Sequence, residues 1–258
     1  MALDFVGRSL ALSADGLAAG AASIAVQPVE MWTVLGVETS GWGFQADRRP
    51  KILFERHIFH RLTGGKFDDG DISAKQAGGY GAGGAHQYDR LARAIALDRG
   101  AALRSASWGV GQIMGENFEA AGFGDVEGMV AAMSDSEDAQ LAAVAAFLKS
   151  NQLDGHLREH DWAAFALGYN GPAYKKNHYD ENLQQQFDKY SAGSTPDLTV
   201  RATQLYLTFA GFDPGKVDGV MGSKTRAAIT SFQTQQGLPA TGETGDALLE
   251  ALTQVALA

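Results

Sequence analysis

The chain has 258 residues, of which 45% are hydrophobic and 20% charged, with a net charge of −9 and no cysteine. That is enough apolar material for one large domain or two unequal ones, and it excludes a disordered chain. The acidic balance argues against nucleic acid or anionic lipid as a partner, and the lack of cysteine excludes disulfides and thiolate metal sites.

Asp4, Arg8, Asp15 and Gln27 interrupt residues 1–30, so no apolar core of a signal peptide forms there. No run approaches the roughly 18 apolar residues of a membrane span. The expectation is a protein made in the cytoplasm without a signal peptide and not inserted in a membrane.

Ser13 is placed to cap a short alanine-rich helix over residues 14–22. Pro28 suits the first turn of a second helix that runs to Glu38. The stretch 31–44, MWTVLGVETSGWGF, then breaks into a loop holding Trp42 and Phe44. A carboxyl at such a helix end, apolar on one side and open on the other, sits where its pKa can be raised for proton donation. An exposed acid at a helix terminus is the plainer reading.

Residues 51–62, KILFERHIFHRL, fit a buried strand leading into a helix or one amphipathic helix. The glycine-rich stretch 64–84, containing GGYGAGG, reads as a flexible loop, possible border of a cleft. A helix is predicted over 87–99. Residues 105–114, SASWGVGQIM, are expected to break at Gly109 and Gly111 and resume as a helix. The clearest amphipathic helix covers 135–151. Asp161 caps another over 162–169, which Asn170-Gly171-Pro172 stops. No alternating strand run competes, so this part is expected to be mainly α. Residues 191–197, within YSAGSTPD, read as a linker. Beyond it, three short helices are predicted over 200–209, 223–236 and 245–253. About 60 residues is near the lower limit for independent folding and suits a binding module.

His156-Leu157-Arg158-Glu159-His160 formally matches the inverted zinc-peptidase pattern. Gly155 before it and a new cap at Asp161 after it argue against a supporting helix, so no metal and no cofactor is expected.

Three segments together carry a resemblance. Glu38-Thr39-Ser40-Gly41 resembles the Glu-x-Ser-Gly segment of lysozyme-like, soluble-transglycosylase-like enzymes. Residues 107–114, SWGVGQIM, resemble their Ser-x-Gly-x-x-Gln-Ile-Met segment, and residues 166–172, ALGYNGP, their Ala-Tyr-Asn-x-Gly-Pro segment. The run RPKILFERHIFHRL narrows this to the N-acetylmuramidase domain of phage endolysins, over roughly residues 12–190. Residues 198–253 are similar to the peptidoglycan-binding domain 1 family, through QLYL, GF, VDGVMG, TRAAI, FQ and GLP. The division implied is a catalytic domain at 1–190, a linker at 191–197 and a three-helix binding domain at 198–258.

By this resemblance Glu38 is the general acid that protonates the leaving glycosidic oxygen. Glu55 and Asp47 are candidates for the second group, and substrate N-acetyl assistance stays open. Glu55 could instead be held in an ion pair with Arg56 or His57, and Asp47 could be a solvated surface charge. Ser107, Gln112, Tyr169, Asn170 and Trp42 are expected to line the sugar cleft. Trp108 could stack on a sugar or lie in the core. The implied protein is a monomer that cuts the glycan strands of peptidoglycan, in the periplasm, once the host membrane has been breached. A lytic transglycosylase, a zinc peptidase or amidase, and a non-catalytic wall binder are the other readings.

Overall fold

The computed structural model describes residues 5–38, 42–193 and 195–258. Of the sequence-predicted acid segment, Thr39, Ser40, Gly41 and the side chain of Glu38 lie outside the described residues.

Helix α1 (Ala14–Ser23) starts at Ser13, whose hydroxyl accepts from the Gly16 amide at 2.9 Å. Helix α2 (Pro28–Glu38) opens on its proline, and Glu30 reaches back to accept from the Gln27 amide at 2.9 Å, one half of a capping box. Met31, Trp32, Val34 and Leu35 are all but completely buried, so α2 runs through the core, flanked by α1 and by α10 (Tyr179–Ser191). An apolar helix covered all round delivers its last residue, Glu38, where the core ends.

Residues 51–62 resolve as a strand leading into a helix: β1 (Ile52–Phe54), then α3 (Arg56–Leu62). Helices α4 (Ala85–Leu97) and α5 (Arg99–Arg104) follow, the second capped by Asp98. The stretch 105–114 departs from expectation. It forms a hairpin, β2 (Ala106–Trp108) and β3 (Ile113–Met114), rather than resuming as a helix. Together with β1 it makes an antiparallel sheet in the order β1-β2-β3, with Ile52 opposite Trp108 and Phe54 opposite Ala106. Every residue of β2 is buried, so the polar alternation that betrays a half-exposed strand is missing from the sequence.

Helix α6 (Val126–Asp135) is separated from α7 (Glu137–Ser150) by Ser136, which is extended and caps α7 by accepting from the Ala139 amide at 3.1 Å. The helix predicted from 135 therefore begins two residues later. Helices α8 (Asp154–Glu159) and α9 (Trp162–Asn170) follow, and Asp161 caps α9 as its sequence position suggests.

Helices α11 (Leu198–Phe209), α12 (Ser223–Gln235) and α13 (Asp246–Ala256) share a core of Leu207, Ile229, Phe232, Leu248 and Leu252. Buried Gln204 organises the turn between α11 and α12. Its oxygen accepts from the Asp218 and Gly219 amides, and its nitrogen donates to the Val220 carbonyl and the Thr225 hydroxyl. This C-terminal unit is packed onto the rest of the chain. Leu205 and Val217 close over Phe44, the Ala11 amide donates to the Tyr206 hydroxyl at 3.0 Å, and Arg201 enters the core beside Trp32.

Candidate active site

Three chain segments meet beyond the end of α2. The first is residues 42–51. The Lys51 amide donates to the Gly43 carbonyl at 2.7 Å and Phe44 bridges to Pro50, which folds these residues into a narrow loop. Trp42 is half-buried, with the Lys51 ammonium 3.8 Å from its ring centroid. Burial pushes the Lys51 pKa down to about 8, Glu137 acting against that shift and Arg201 adding to it.

The second is the hairpin turn 109–112. Gly109 has φ +71°, and a Cβ there would collide with the buried Gln140 side chain; a Cβ on Gly111 would strike Val144. The two glycines thus let the turn lie directly on α7, where Gln140 accepts from the Val110 amide at 2.7 Å. Gln112 is left-handed at φ +49°, and its side chain folds back over the turn. It donates to the carbonyls of Gly109 (2.9 Å) and Lys51 (3.3 Å) and accepts from the Ser107 hydroxyl at 2.8 Å.

The third is the end of α9. Tyr169 is stacked on Phe165 and set edge-on to Phe147, and its hydroxyl donates to the Gly111 carbonyl at 2.8 Å. Asn170 follows as the last residue of α9 and is half-buried. Ser107, Gln112 and Tyr169 are thereby gathered at the hairpin turn, with Asn170 next to Tyr169 in the chain, while Trp42 packs against the cluster of Phe44, Leu205 and Val217. Trp108 is not among them: it is fully buried and its indole donates to the Leu103 carbonyl, a core role.

The two candidates for a second carboxylate sit in different surroundings. Asp47 lies exposed in the turn of the 42–51 loop and is tied to Arg49 at 2.5 Å. Glu55 lies at the junction of β1 and α3, with its side chain 15% exposed. Tyr80 donates its hydroxyl to Glu55 Oε1 at 3.0 Å, and His57 Nδ1 stands 3.1 Å from Oε2 without hydrogen-bond alignment. Burial and the adjacent Glu55 charge raise the Tyr80 pKa, which keeps the phenol a donor.

Tyr80 belongs to the glycine-rich stretch read as a flexible loop. Its backbone is instead pinned: Gln87 donates to the Tyr80 and Ala82 carbonyls, both at 2.7 Å, and accepts from the Phe54 amide. Buried Arg90 donates to the Phe54 carbonyl and pairs with Asp71. Tyr80, Gln87 and Arg90 escape a sequence reading; the lone aromatic within GGYGAGG is the one visible sign.

The histidine pattern is not built as a helical pair. Helix α8 stops at Glu159, and His160 adopts a left-handed backbone. Its ring lies against Trp162 and Phe187, with Nε2 2.9 Å from Glu30 Oε1.

Comparison with known proteins identifies the family. The N-acetylmuramidase family model matches residues 27–191, and a peptidoglycan-binding domain model matches residues 197–252. The crystal structure of the Burkholderia AP3 phage endolysin superposes with a TM-score of 0.65 at 39% identity, covering 71% of this chain and 72% of that one. No curated protein sequence matches. With the muramidase match spanning well over half of its length, the chain belongs to the N-acetylmuramidase family, glycoside hydrolases of the lysozyme type, and carries a peptidoglycan-binding domain at its C-terminal end.

Proposed function

We propose that the protein is a phage endolysin that hydrolyses the β-1,4 bond between N-acetylmuramic acid and N-acetylglucosamine, with Glu38 as general acid. The observation that supports this is the meeting of three segments around one turn: the loop continuing from Glu38, the hairpin 109–112 and the end of α9. Glycoside cleavage needs a proton for the leaving oxygen and a second group for the positive charge that develops on the sugar. Glu38 delivers the proton. Ser107, Gln112, Tyr169, Asn170 and Trp42 hold the sugars, the aromatic rings offering flat apolar faces and the amides offering hydrogen bonds.

Glu55 serves as the second carboxylate. A neutral phenol orients it through Oε1, and its Oε2 makes no hydrogen bond among the described residues and so keeps acceptor capacity for a water or the sugar, whereas Asp47 is already paired with Arg49. The enzyme works as a monomer on the wall, reaching it from the periplasmic side after the membrane is permeabilised. Among the described residues no helix is long and apolar enough to cross a membrane.

Digestion of purified sacculi, borohydride reduction and mass spectrometry test the reaction. Reduced muramic acid ends are expected. Anhydro-muramic ends would change the reaction to transglycosylation, and released stem peptides with intact glycan would overturn it. Glu38→Gln should lower turnover by about 10³-fold while co-sedimentation with sacculi stays intact, since a general acid contributes on the order of 10²–10⁴. A variant that still lyses sacculi at the parental rate would remove Glu38 from the mechanism.

A further inference from the structure

The C-terminal unit reaches the catalytic loop through one buried carboxylate. Glu137, the first residue of α7, is 1% exposed, as is Arg201 of α11. Glu137 Oε1 accepts from the Gly43 amide at 2.8 Å and from Arg201 Nη2 at 2.7 Å; Oε2 accepts from the Leu12 amide at 2.9 Å and from Arg201 Nη1 at 2.6 Å. A buried charge persists only when geometry of this quality compensates for its lost hydration. The bidentate fork of an arginine suits that geometry.

What the carboxylate holds is the informative part. Gly43 lies five residues beyond Glu38, and its carbonyl accepts from the Lys51 amide. The Lys51 carbonyl in turn accepts from the Gly109 amide and from the Gln112 side chain. A continuous chain of hydrogen bonds thus runs from Arg201 through Glu137, Gly43 and Lys51 to the hairpin turn. Next to it, Phe44 is fully buried under Leu205 and Val217, with Phe209 edge-on at 6.2 Å. A unit that only tethered the enzyme to the wall would have no use for a guanidinium sunk behind the loop that follows Glu38.

We propose that Arg201 is a positioning residue of the muramidase: through Glu137 the C-terminal domain sets the 42–44 segment, and with it the geometry of the cleft. The proposal rests on the reading of Glu38 as the acid of that cleft. Arg201 touches no substrate. It orients Glu137, which fixes the Gly43 amide.

The test uses the full chain and soluble, uncross-linked glycan strands, so that wall anchoring does not enter the rate. Folding is checked by circular dichroism at the assay temperature. Arg201→Met should lower kcat by about 10–100-fold with KM within about twofold, the size expected when a reacting group is misplaced by about 1 Å. Arg201→Lys, which keeps the charge but not the fork, should recover part of the loss. Should Arg201→Met not fold, the double variant Arg201→Met with Glu137→Leu leaves no buried charge. It should show a kcat loss at least as large as the single variant's, because the Gly43 amide then loses its Glu137 acceptor altogether. A parental kcat in either folded variant, or a loss confined to KM, overturns the proposal. Glu38→Gln assayed alongside separates the two readings: if it stays active the acid assignment fails, while the Arg201 comparison is still read from its own kcat.

Discussion

The two ends of the small sheet are supported by opposite means. At the hairpin end, where Ile52 faces Trp108, the supporting acid is Glu137, wholly buried and bound by four donors. At the other end, roughly 10 Å away by three residues of strand rise, Glu55 follows Phe54 with one carboxylate oxygen free of any hydrogen bond among the described residues. Its one oriented donor is a phenol, with an imidazole nearby but not aligned to bond, instead of an arginine fork. A carboxylate saturated by an arginine and two backbone amides is a fixed charge that holds structure. One held by a tyrosine retains capacity to accept a water or a sugar. Under the proposed role of Glu55, the same residue type would serve architecture in one place and chemistry in another, according to its donors.

That contrast can be broken experimentally. Glu137→Ala should be the most damaging change, since it strands a buried guanidinium and leaves the Gly43 and Leu12 amides without acceptors. Removing one partner of a buried pair costs about 3–5 kcal/mol. For a chain of this size that is a fall in Tm of roughly 10 °C, measurable by calorimetry. A shift of a degree or two would mean that water reaches the pair.

Glu55→Gln should do the reverse, with a Tm close to the parental value and turnover reduced by about 10²-fold, the lower range for loss of an acid–base group. Unchanged turnover on soluble glycan strands would hand the role of second group to the substrate itself.

Lys51 offers a sharper probe of the hairpin end through pH. Its folded pKa, pushed down mainly by burial to about 8, lies below the ordinary lysine value of about 10.4. Below pH 8 both folded and unfolded chains bind the proton, and the folded state bears the full penalty. Between pH 8 and 10.4 only the unfolded chain binds it, so stability from this group rises with pH. Lys51→Met should therefore stabilise the protein by about 1–2 kcal/mol at pH 7, after allowance for partial exposure and the Trp42 contact. The gain should shrink towards pH 10.5 in urea titrations. A gain that is independent of pH would assign the effect to packing.

The smallest effect belongs to Asp47→Asn. The Arg49 pair is a surface ion pair, worth about 0–1 kcal/mol, so Tm and turnover should both stay near parental values. A large loss of turnover there would move the second carboxylate from Glu55 to Asp47.

Much of the helical frame is written locally. Ser13, Asp161 and Pro28 mark helix starts because capping and proline geometry act over three or four residues. The apolar positions Ile229 and Phe232 declare a core face in the same way. The motif segments around Glu38, Gln112 and Tyr169 pointed to the family for a related reason: cleft chemistry needs particular side chains at particular backbone turns. Tertiary structure alone decided the rest. A strand buried on both faces carries no alternation, so β2 reads as interrupted helix until β1 and β3 lie beside it. Arg201 stands on the apolar side of α11 like an error in the pattern, and only the docked Glu137 explains it. Tyr80 gains its meaning from Glu55, 25 residues away. Pairings of this kind depend on long-range closure of the chain, which no local propensity encodes, and they are the contacts that bring the distant motif segments together.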